Sequence, residues 1–203
     1  MKMLIVESPT KRKNIAAYLG AGWVVEASFG HVRDLPKGEM GIDFGNYQPV
    51  YVLSNSGKKV MTKLQGMSKQ MEEIWLATDP DREGEAIAWH LNALLGRDKI
   101  VRRVTFSEIT QTAVLRAMQQ PRDIDNNLVD AQQARRVLDR LYGYKLSPAL
   151  GDKIGVYGVS AGRVQSIALR LIVDRERAIR DFRSTKHFGV AIICESEGRQ
   201  WRA

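Results

Sequence analysis

WLATDPDREGEAIAWHL, residues 75–91, places four acidic side chains within seven positions and an apolar segment on each side of them. The acids are Asp79, Asp81, Glu83 and Glu85. The apolar run before them predicts a buried strand over 73–79, and the later apolar residues recur at helical spacing. The acids therefore fall where a strand gives way to a helix. They are either the solvated start of that helix or a site for something cationic.

The rest of the first half repeats this alternation of strand and helix. Further strands are predicted at 3–7, 23–28 and 102–106. Ser8 and Pro9 suit the start of a helix after the first strand. Residues 30–70 are rich in turn signals, which favours long loops with one short helix. Strands that alternate with helices indicate an α/β fold with a parallel sheet covered by helices on both faces.

The second half changes character. Helices are predicted at 110–119, 126–142 and 163–182, and a hairpin around Glu197–Gly198. The second of these helices carries an apolar stripe that predicts its core face: Leu128, Ala131, Ala134, Leu138 and Leu141. The predicted domains are 1–120 for the α/β domain, 121–185 for an α-helical segment and 186–203 for the start of an incomplete β domain.

Composition limits the classes of function. The net charge is +8 and the isoelectric point is near 9.7, which favours an anionic partner, nucleic acid first. One cysteine excludes an internal disulfide and a cysteine zinc ribbon within these residues. The phosphate-binding GxxxxGK[ST] motif does not occur, so no nucleotide cofactor is expected. No apolar run is long enough to span a membrane, and a cytoplasmic location is expected.

The acidic cluster has a predicted partner at residue 7. Glu7 ends the first strand, and Asp79 and Asp81 follow the third. Because ligands of parallel sheets bind beyond the carboxyl ends of the strands, these carboxylates are expected to meet in one crevice. Such a cluster needs a counter-charge, and Mg²⁺ prefers carboxylate and water oxygens. Lys11 lies near the first turn of the next helix, where free N–H groups favour a phosphate. The alternative remains that the acids only favour a helix start.

Six ordered blocks give the chain a family resemblance: IVESPTKRKNIAAYLG, SFGHVRDLP, ATDPDREGEAIAWHL, FSEIT, DAQQARRVLDRLYGY and SAGRVQSIALRLIVDRE. The acidic block resembles the DxDxE motif of the Toprim domain. The whole series resembles bacterial type IA DNA topoisomerases of the topoisomerase I branch, from residue 3 to about 182. The resemblance implies a Rossmann-like Toprim domain followed by part of a helical DNA-binding domain. It also implies Mg²⁺-dependent cleavage, passage and religation of single-stranded or underwound DNA.

The resemblance assigns roles to residues. Glu7 and Lys11 would be catalytic, with Glu7 handling the proton of the leaving oxygen. Mg²⁺ would be held by the acids Glu7, Asp79, Asp81 and Glu83. The predicted DNA contacts are His31, Arg135, Arg136, Asp139, Tyr144, Ser160, Gly162, Arg163 and Gln165. For Arg135 and Asp139 an alternative to DNA contact remains, because their i,i+4 spacing is that of a surface ion pair. His90 is predicted to pack rather than bind.

The family's nucleophile is a tyrosine, and none of the six tyrosines lies in a Tyr-x-Arg-Thr-Asp setting. We therefore expect an N-terminal portion that is inactive alone and whose partners are DNA and the remaining part of a topoisomerase. The expected location is cytoplasmic, with the nucleoid. Two alternatives stay open: a non-catalytic DNA- or Mg²⁺-binding Toprim protein, and a Toprim nuclease or primase.

Overall fold

The computed structural model describes residues 1–202. Its elements, in chain order, are β1 (Lys2–Val6), α1 (Pro9–Leu19), β2 (Trp23–Ala27), β3 (Arg33–Asp34), β4 (Val52–Leu53), α2 (Asn55–Ser68), β5 (Glu73–Ala77), α3 (Arg82–Leu95), β6 (Ile100–Arg103), α4 (Gln111–Met118), α5 (Asn126–Ile154), α6 (Arg163–Arg180), β7 (Ile193–Ser196) and β8 (Arg199–Arg202). Residue contacts divide the chain into two units, one from Met1 to Gly162 and one from Arg163 onward.

The first unit contains a four-stranded sheet in the order β2-β1-β5-β6, and all three strand pairs are parallel. The predicted α/β class is therefore confirmed. β1 and β5 are the two central strands, and Val6 lies opposite Ala77 in their register. From β1 the chain adds β2 on one side and β5 on the other, so the strand order reverses between β1 and β5. In open α/β sheets, ligands bind at the carboxyl ends of such a pair.

Both faces of the sheet are buried, which explains the continuous apolar runs of its strands. In β1, Met3 and Ile5 face one core and Leu4 and Val6 face the other. The first core is completed by side chains of α2 and α3, namely Met61, Leu64, Ile87, Ala88 and Leu91. The second is completed by Ile15 of α1 and Val114 of α4. The carboxyl edge of the sheet therefore stands on a packed scaffold.

Two stretches differ from the sequence prediction. α2 has 14 residues, so the helix within 30–70 is not short, and the same stretch contributes the paired strands β3 and β4. The fourth strand ends at Arg103 instead of residue 106. Its neighbour β5 ends at Ala77, so the residues that follow Val104 have no strand beside them. The apolar Phe106 packs on the second core without extending the sheet.

α5 also departs from its prediction. It runs for 29 residues to Ile154, through Pro148, and Gly155 ends it with φ 68°. Its predicted apolar face is wrong, since Leu138 is 57% exposed while Val129, Gln132 and Val137 are buried. The reason is that the buried side interleaves two valines with Gln132 and Arg136, which contact Glu83 and Asp34, so its apolar residues are too few to mark it.

The second unit consists of α6 and the β7–β8 hairpin. Glu197 and Gly198 form the turn with φ of 53° and 72°, as required for a two-residue hairpin turn, and the predicted hairpin is confirmed. No side chain of α6 is buried. The predicted domain limits at 120 and 185 stay predictions. No helix within residues 1–202 is both long and apolar enough to cross a membrane.

A buried ion pair joins the end of the sheet to α3. Glu85 and Arg103 both have fully buried side chains, and Arg103 Nη2 lies 3.1 Å from Glu85 Oε2. Arg122 Nη2 donates to the same oxygen at 2.8 Å, and the Asp125 N–H donates to Oε1 at 2.8 Å. Burial alone raises the pKa of Glu85, but the hydrogen bonds from Arg122 and Asp125 and the charge of Arg103 outweigh it and lower the pKa. Glu85 is therefore ionised and structural.

We expect Glu85→Gln to lower the free energy of unfolding by about 3 kcal/mol, because it leaves the Arg103 guanidinium buried without its counter-charge. Since the pKa of Glu85 is lowered from 4.5, the full difference is present above pH 4.5 and shrinks as the pH falls through the folded-state value. Urea unfolding at several pH values measures it. The control is Glu72→Gln, whose 79% exposed carboxylate pairs with the N-terminus and contributes under about 1 kcal/mol. Equal losses in the two variants would contradict the structural role.

Candidate active site

The predicted acids meet at the carboxyl ends of the two central strands. Glu7 follows β1, and Asp79 and Asp81 follow β5. The Asp81 carboxylate accepts a hydrogen bond from the Gly84 N–H at 2.7 Å and caps α3. Asp79 stays half-exposed, with 43% of its side chain accessible. The strand ends and the helix cap thus fix three carboxylates around one crevice.

The glycine at 84 is required by this arrangement. A Cβ on Gly84 would lie 2.2 Å from the carbonyl oxygen of Asp79, and no side-chain shift could relieve a clash with backbone. The loop that carries Asp79 therefore presses directly on the first turn of α3. Arg103 Nη2 also donates to the Asp79 carbonyl at 2.8 Å. The backbone of Asp79 is held from two sides while its side chain faces the crevice.

Lys11 supplies a positive charge to this crevice. Its ammonium is ion-paired with the carboxylate of Asp79, and it stands on the first turns of α1, which Ser8 caps. Burial raises the pKa of Glu7, and the charges of Asp79 and Asp81 raise it further, against the opposing effect of Lys11. The three acids therefore repel one another enough to perturb Glu7, and Lys11 neutralises part of that charge.

The chemistry of these donors fits Mg²⁺, which takes carboxylate and water oxygens. Within residues 1–202, no three acidic, histidine or cysteine side chains stand close enough together to hold a metal ion as placed. Glu83 is directed elsewhere, since its Oε2 lies 3.2 Å from His31 Nε2 and accepts a hydrogen bond from Gln132 Nε2 at 3.1 Å. The crevice thus contains Glu7, Asp79, Asp81 and Lys11. Glu83, the last acid of the DxDxE motif, lies in a neighbouring pocket.

That neighbouring pocket, here the histidine pocket, is lined by His31, Arg33, Asp34, Tyr51, Glu83, His90, Gln132, Arg135, Arg136 and Asp139. Arg33 Nε donates to His90 Nδ1 at 2.9 Å. Burial, together with the charges of Arg33 and His31, lowers the pKa of His90 to about 3, so this histidine is neutral. His90 is 1% exposed, which confirms the prediction that it packs.

The predicted DNA-contacting residues of α5 line this pocket. Arg136 makes a bidentate ion pair with Asp34, with Nη2 2.7 Å from Oδ2 and Nε 2.9 Å from Oδ1. Arg135 pairs with Asp139 at 3.7 Å, the ion pair that its spacing indicates. An adjoining depression brings Ser160 beside Asp139 and Tyr144. The structure therefore gathers most of the predicted contacts on one side of the first unit.

Three predicted residues stand at or beyond the division between the units. Gly162 ends the first unit, and Arg163 and Gln165 lie in the first turn of α6 in the second. Sequence reasoning missed four residues that line or support the two sites: Arg33, Tyr51, Arg103 and Gln132. Arg103 had a weak signal, because it is a cation in a predicted strand, and Arg33 had none. Tyr51 and Gln132 had none.

Comparisons with known proteins agree with this architecture. Residues 2–109 match the family model of the Toprim domain, and residues 123–202 match that of the DNA topoisomerase domain. The plasmid DNA topoisomerase I of Xylella fastidiosa is 51% identical over 193 residues, which are 95% of this chain and 29% of that protein. Full-length topoisomerase I from Thermotoga maritima superimposes with a TM-score of 0.79 at 40% identity, covering 98% of this chain and 36% of that one.

The α/β sheet, its acidic crevice and the match over residues 2–109 define a Toprim-containing protein. With the second family model following the first, the chain belongs to the bacterial type IA DNA topoisomerase I family. It spans about a third of the length of the relatives that it matches: 29% of one and 36% of the other. The order of the two domains favours a topoisomerase over a Toprim nuclease or primase.

The crevice makes a testable electrostatic prediction. Asp79→Asn should lower the pKa of Glu7 toward its ordinary value, since a neighbouring negative charge is removed, and Lys11→Met should raise it. Carboxyl chemical shifts of Glu7, followed by NMR through a pH titration, measure both. Lys13→Met, an exposed lysine on the same helix, is the control and should leave the Glu7 titration in place. A pKa of Glu7 that is unchanged by Asp79→Asn would show that the acids do not interact.

Proposed function

We propose that this chain supplies the Toprim half of the active site of a type IA DNA topoisomerase. In this reaction a tyrosine breaks one DNA strand, another strand passes, and the break is resealed. The observation that carries the proposal is the meeting of Glu7, Lys11, Asp79 and Asp81 at the carboxyl ends of β1 and β5. Phosphoryl transfer depends on positioning and on charge stabilisation, and these four residues offer both.

Glu7 acts on the proton of the leaving oxygen. Its pKa is raised by burial and by Asp79, which brings a carboxyl group closer to the range where it can give and take a proton near neutral pH. Lys11 binds the scissile phosphate, because its ammonium lies in the crevice beside Asp79 and because the start of α1, on which it stands, favours an anion through the helix dipole. Glu7 thus acts on the proton and Lys11 on the phosphate. Glu7 follows β1, and Lys11 stands on α1, the helix that comes next in the chain.

Asp79 and Asp81, with Glu7, are the proposed Mg²⁺ ligands. Magnesium commonly keeps several waters and binds through one or two carboxylates together with substrate phosphate oxygens. A bound Mg²⁺ would neutralise charge on the phosphate and orient it. Of the four motif acids, Glu83 is the least suited to bind the metal, because its carboxylate already contacts His31 and Gln132.

The proposed DNA is single-stranded or underwound, and it contacts the basic side of α5 in the first unit. Residues at the start of α6, in the second unit, are proposed as separate contacts. The proposed contacts are His31, Arg135, Arg136, Asp139, Tyr144, Ser160, Gly162, Arg163 and Gln165. Tyr144 receives a hydrogen bond from Arg140 at 2.7 Å and lies under its guanidinium at 4.7 Å, which presents a flat surface for a base. Arginine contacts to phosphates would make binding fall steeply with salt.

The nucleophile is proposed to come from outside these residues. Tyr51 is a poor candidate, because burial raises its pKa to about 12 and disfavours the phenolate. Tyr18 donates its hydroxyl to the Ile109 carbonyl at 3.5 Å. The partner that this chain needs for catalysis is therefore the tyrosine-bearing part of a topoisomerase.

The metal proposal predicts a thermal shift. Mg²⁺ should raise the unfolding temperature of the parent chain, since a ligand that binds only the folded state stabilises it. Asp79→Asn combined with Asp81→Asn should abolish the rise, and asparagine at 81 still caps α3. Calorimetry at constant ionic strength measures it. The control is Asp98→Asn with Asp130→Asn, two exposed acids outside the crevice. A double mutant in the crevice that responds like the parent would exclude this metal site.

The activity proposal is tested in a chimera in which residues 1–202 replace the matching region of the Xylella fastidiosa relative. The chimera should relax negatively supercoiled plasmid with Mg²⁺. Asp79→Asn with Asp81→Asn should slow it by at least about a hundredfold, as expected when charge stabilisation is lost.

The 203-residue chain alone is the second arm of that experiment, and it should give neither relaxation nor a covalent DNA adduct. An adduct would place the nucleophile among its own tyrosines. Nicked DNA without an adduct would favour the nuclease alternative. A chimera that relaxes DNA equally well without the two aspartates would overturn the assignment of the acids.

A further inference from the structure

The acidic crevice continues into a second depression on the side of α4. Pro80, Phe106 and Ser107 line both depressions, so the two form one continuous groove. Lys11 lies at the end that belongs to the crevice, and Arg116 of α4 lies at the other. The second depression, here the α4 groove, has a volume of about 540 Å³, which is within the range of ~300–1,000 Å³ found for ligand sites.

The α4 groove and the histidine pocket lie on opposite faces of the sheet. α3 packs in the first core, and α5 packs against α3. α4 packs in the second core, together with α1. The crevice stands at the carboxyl edge of the sheet, between these two faces. It therefore has the histidine pocket on one side and the α4 groove on the other.

The floor of the α4 groove is held by the second core. The segment after β6 carries Phe106 and Ile109, whose side chains pack on that core. The Ile109 carbonyl also accepts a hydrogen bond from the Tyr18 hydroxyl at 3.5 Å. Thr110 then caps α4 by accepting a hydrogen bond from the Ala113 N–H at 3.3 Å. The groove is therefore preformed, which limits the conformational entropy lost when a ligand binds.

The α4 groove offers hydrogen-bond donors and an unpaired cation. Within residues 1–202, the exposed guanidinium of Arg116 has no ion-pair partner. The one carboxylate of the groove, Glu108, accepts a hydrogen bond from the Thr110 hydroxyl at 3.2 Å. Phosphate oxygens only accept hydrogen bonds, so they match a free guanidinium that is accompanied by hydroxyl and amide donors. Those donors are the side chains of Thr105, Ser107, Thr112 and Gln120.

A strand that is cut and resealed has an arm on each side of its scissile phosphate. The DNA contacts proposed above lie on the α5 side of the first unit or at the start of α6, and none of them lines the α4 groove. Resealing needs both ends at the site, because a held end reacts at a far higher effective concentration than one that diffuses away. The second arm therefore needs its own contact on the other side of the crevice.

We propose that the α4 groove holds the backbone of this second arm, with Arg116 contacting a phosphate and the hydroxyls of Ser107 and Thr112 donating to the backbone beside it. Phe106 is packed on the core, and among residues 1–202 no other aromatic side chain lines the groove, so bases find no ring on which to stack. Binding in the groove is therefore independent of sequence. The proposal rests on the proposed function, since it requires DNA with its scissile phosphate at Lys11.

The test measures binding of the parent chain to fluorescent oligothymidines of increasing length at several salt concentrations. The shortest strands that bind should occupy the α5 side, which has more arginines, and the longest should also fill the α4 groove. Arg116→Ala should leave the affinity for the shortest strands unchanged. For the longest strands it should weaken binding about threefold at low salt and lower the salt slope by about one unit, because one phosphate contact is lost.

Three further variants separate this contact from other effects. Arg97→Ala removes an exposed arginine just before β6, at the opposite edge of the sheet, and should leave affinity and salt slope unchanged at every length. Arg116→Lys keeps the charge and should keep the salt slope of the parent. Thr112→Val keeps the shape and removes the hydroxyl, so it should weaken binding of the longest strands alone and without a change of slope. Thermal unfolding confirms that each variant is folded.

The outcomes are distinct. An equal loss with Arg116→Ala at every length would place Arg116 on the same arm as α5 and overturn the proposal. No loss at any length would also overturn it and leave the proposed function standing. A loss that Arg116→Lys does not restore, with an unchanged salt slope, would show that Arg116 acts only through the fold of α4. No binding of any strand by the parent would overturn the proposed function itself, and this proposal with it.

Discussion

The buried pair of Glu85 and Arg103 is the constraint on which the site depends. Arg103 ends the edge strand β6, and Glu85 stands in α3, so their contact fixes the helix against the sheet. Arg103 also donates to the carbonyls of Thr78 and Asp79, at 2.8 Å in each case, which holds the loop that bears the crevice acids. A buried ion pair of this kind is a weak source of net stability, but breaking it is costly. Its contribution is to specify where the Asp79 loop lies.

Glu85 also connects the α/β core to the helical segment. Its carboxylate accepts hydrogen bonds from Arg122 and from the N–H of Asp125, the residue that caps α5. One buried carboxylate therefore sets the start of the helix whose later turns carry Gln132 and Arg136. The start of α3 contributes acids to two different sites. Asp81 caps the helix beside the crevice, and Glu83 lies in the histidine pocket. This explains why four acids occur within seven residues, since each has a different partner.

The sequence predicted the sheet well because periodicity and strand ends are local signals. Glu7, Asp79 and Asp81 follow neighbouring strands and influence one another's charge, as expected because the carboxyl ends of parallel strands share an edge, and their role at a metal stays a prediction. The apolar face of α5 was predicted wrongly, because that helix buries the polar side chain of Gln132 and pairs Arg136 with Asp34. Polar side chains that are buried do not contribute to an apolar period in the sequence. The position of Glu83 could not be predicted either. Its partners lie 52 and 49 residues away in sequence, and only the folded chain brings them together.

The ion pair between Lys11 and Asp79 has a thermodynamic consequence for the crevice. One carboxylate serves either the ammonium or a metal, and one ammonium serves either the carboxylate or a phosphate. A phosphate that draws Lys11 away frees Asp79 for the cation, and a cation on Asp79 frees Lys11 for the phosphate. The two proposed ligands would therefore be positively cooperative, and linkage would require that each raise the affinity for the other by the same factor. With three carboxylates and one ammonium, the crevice keeps an excess of negative charge for the proposed metal to neutralise, and the proposed metal and phosphate would bind it as a set.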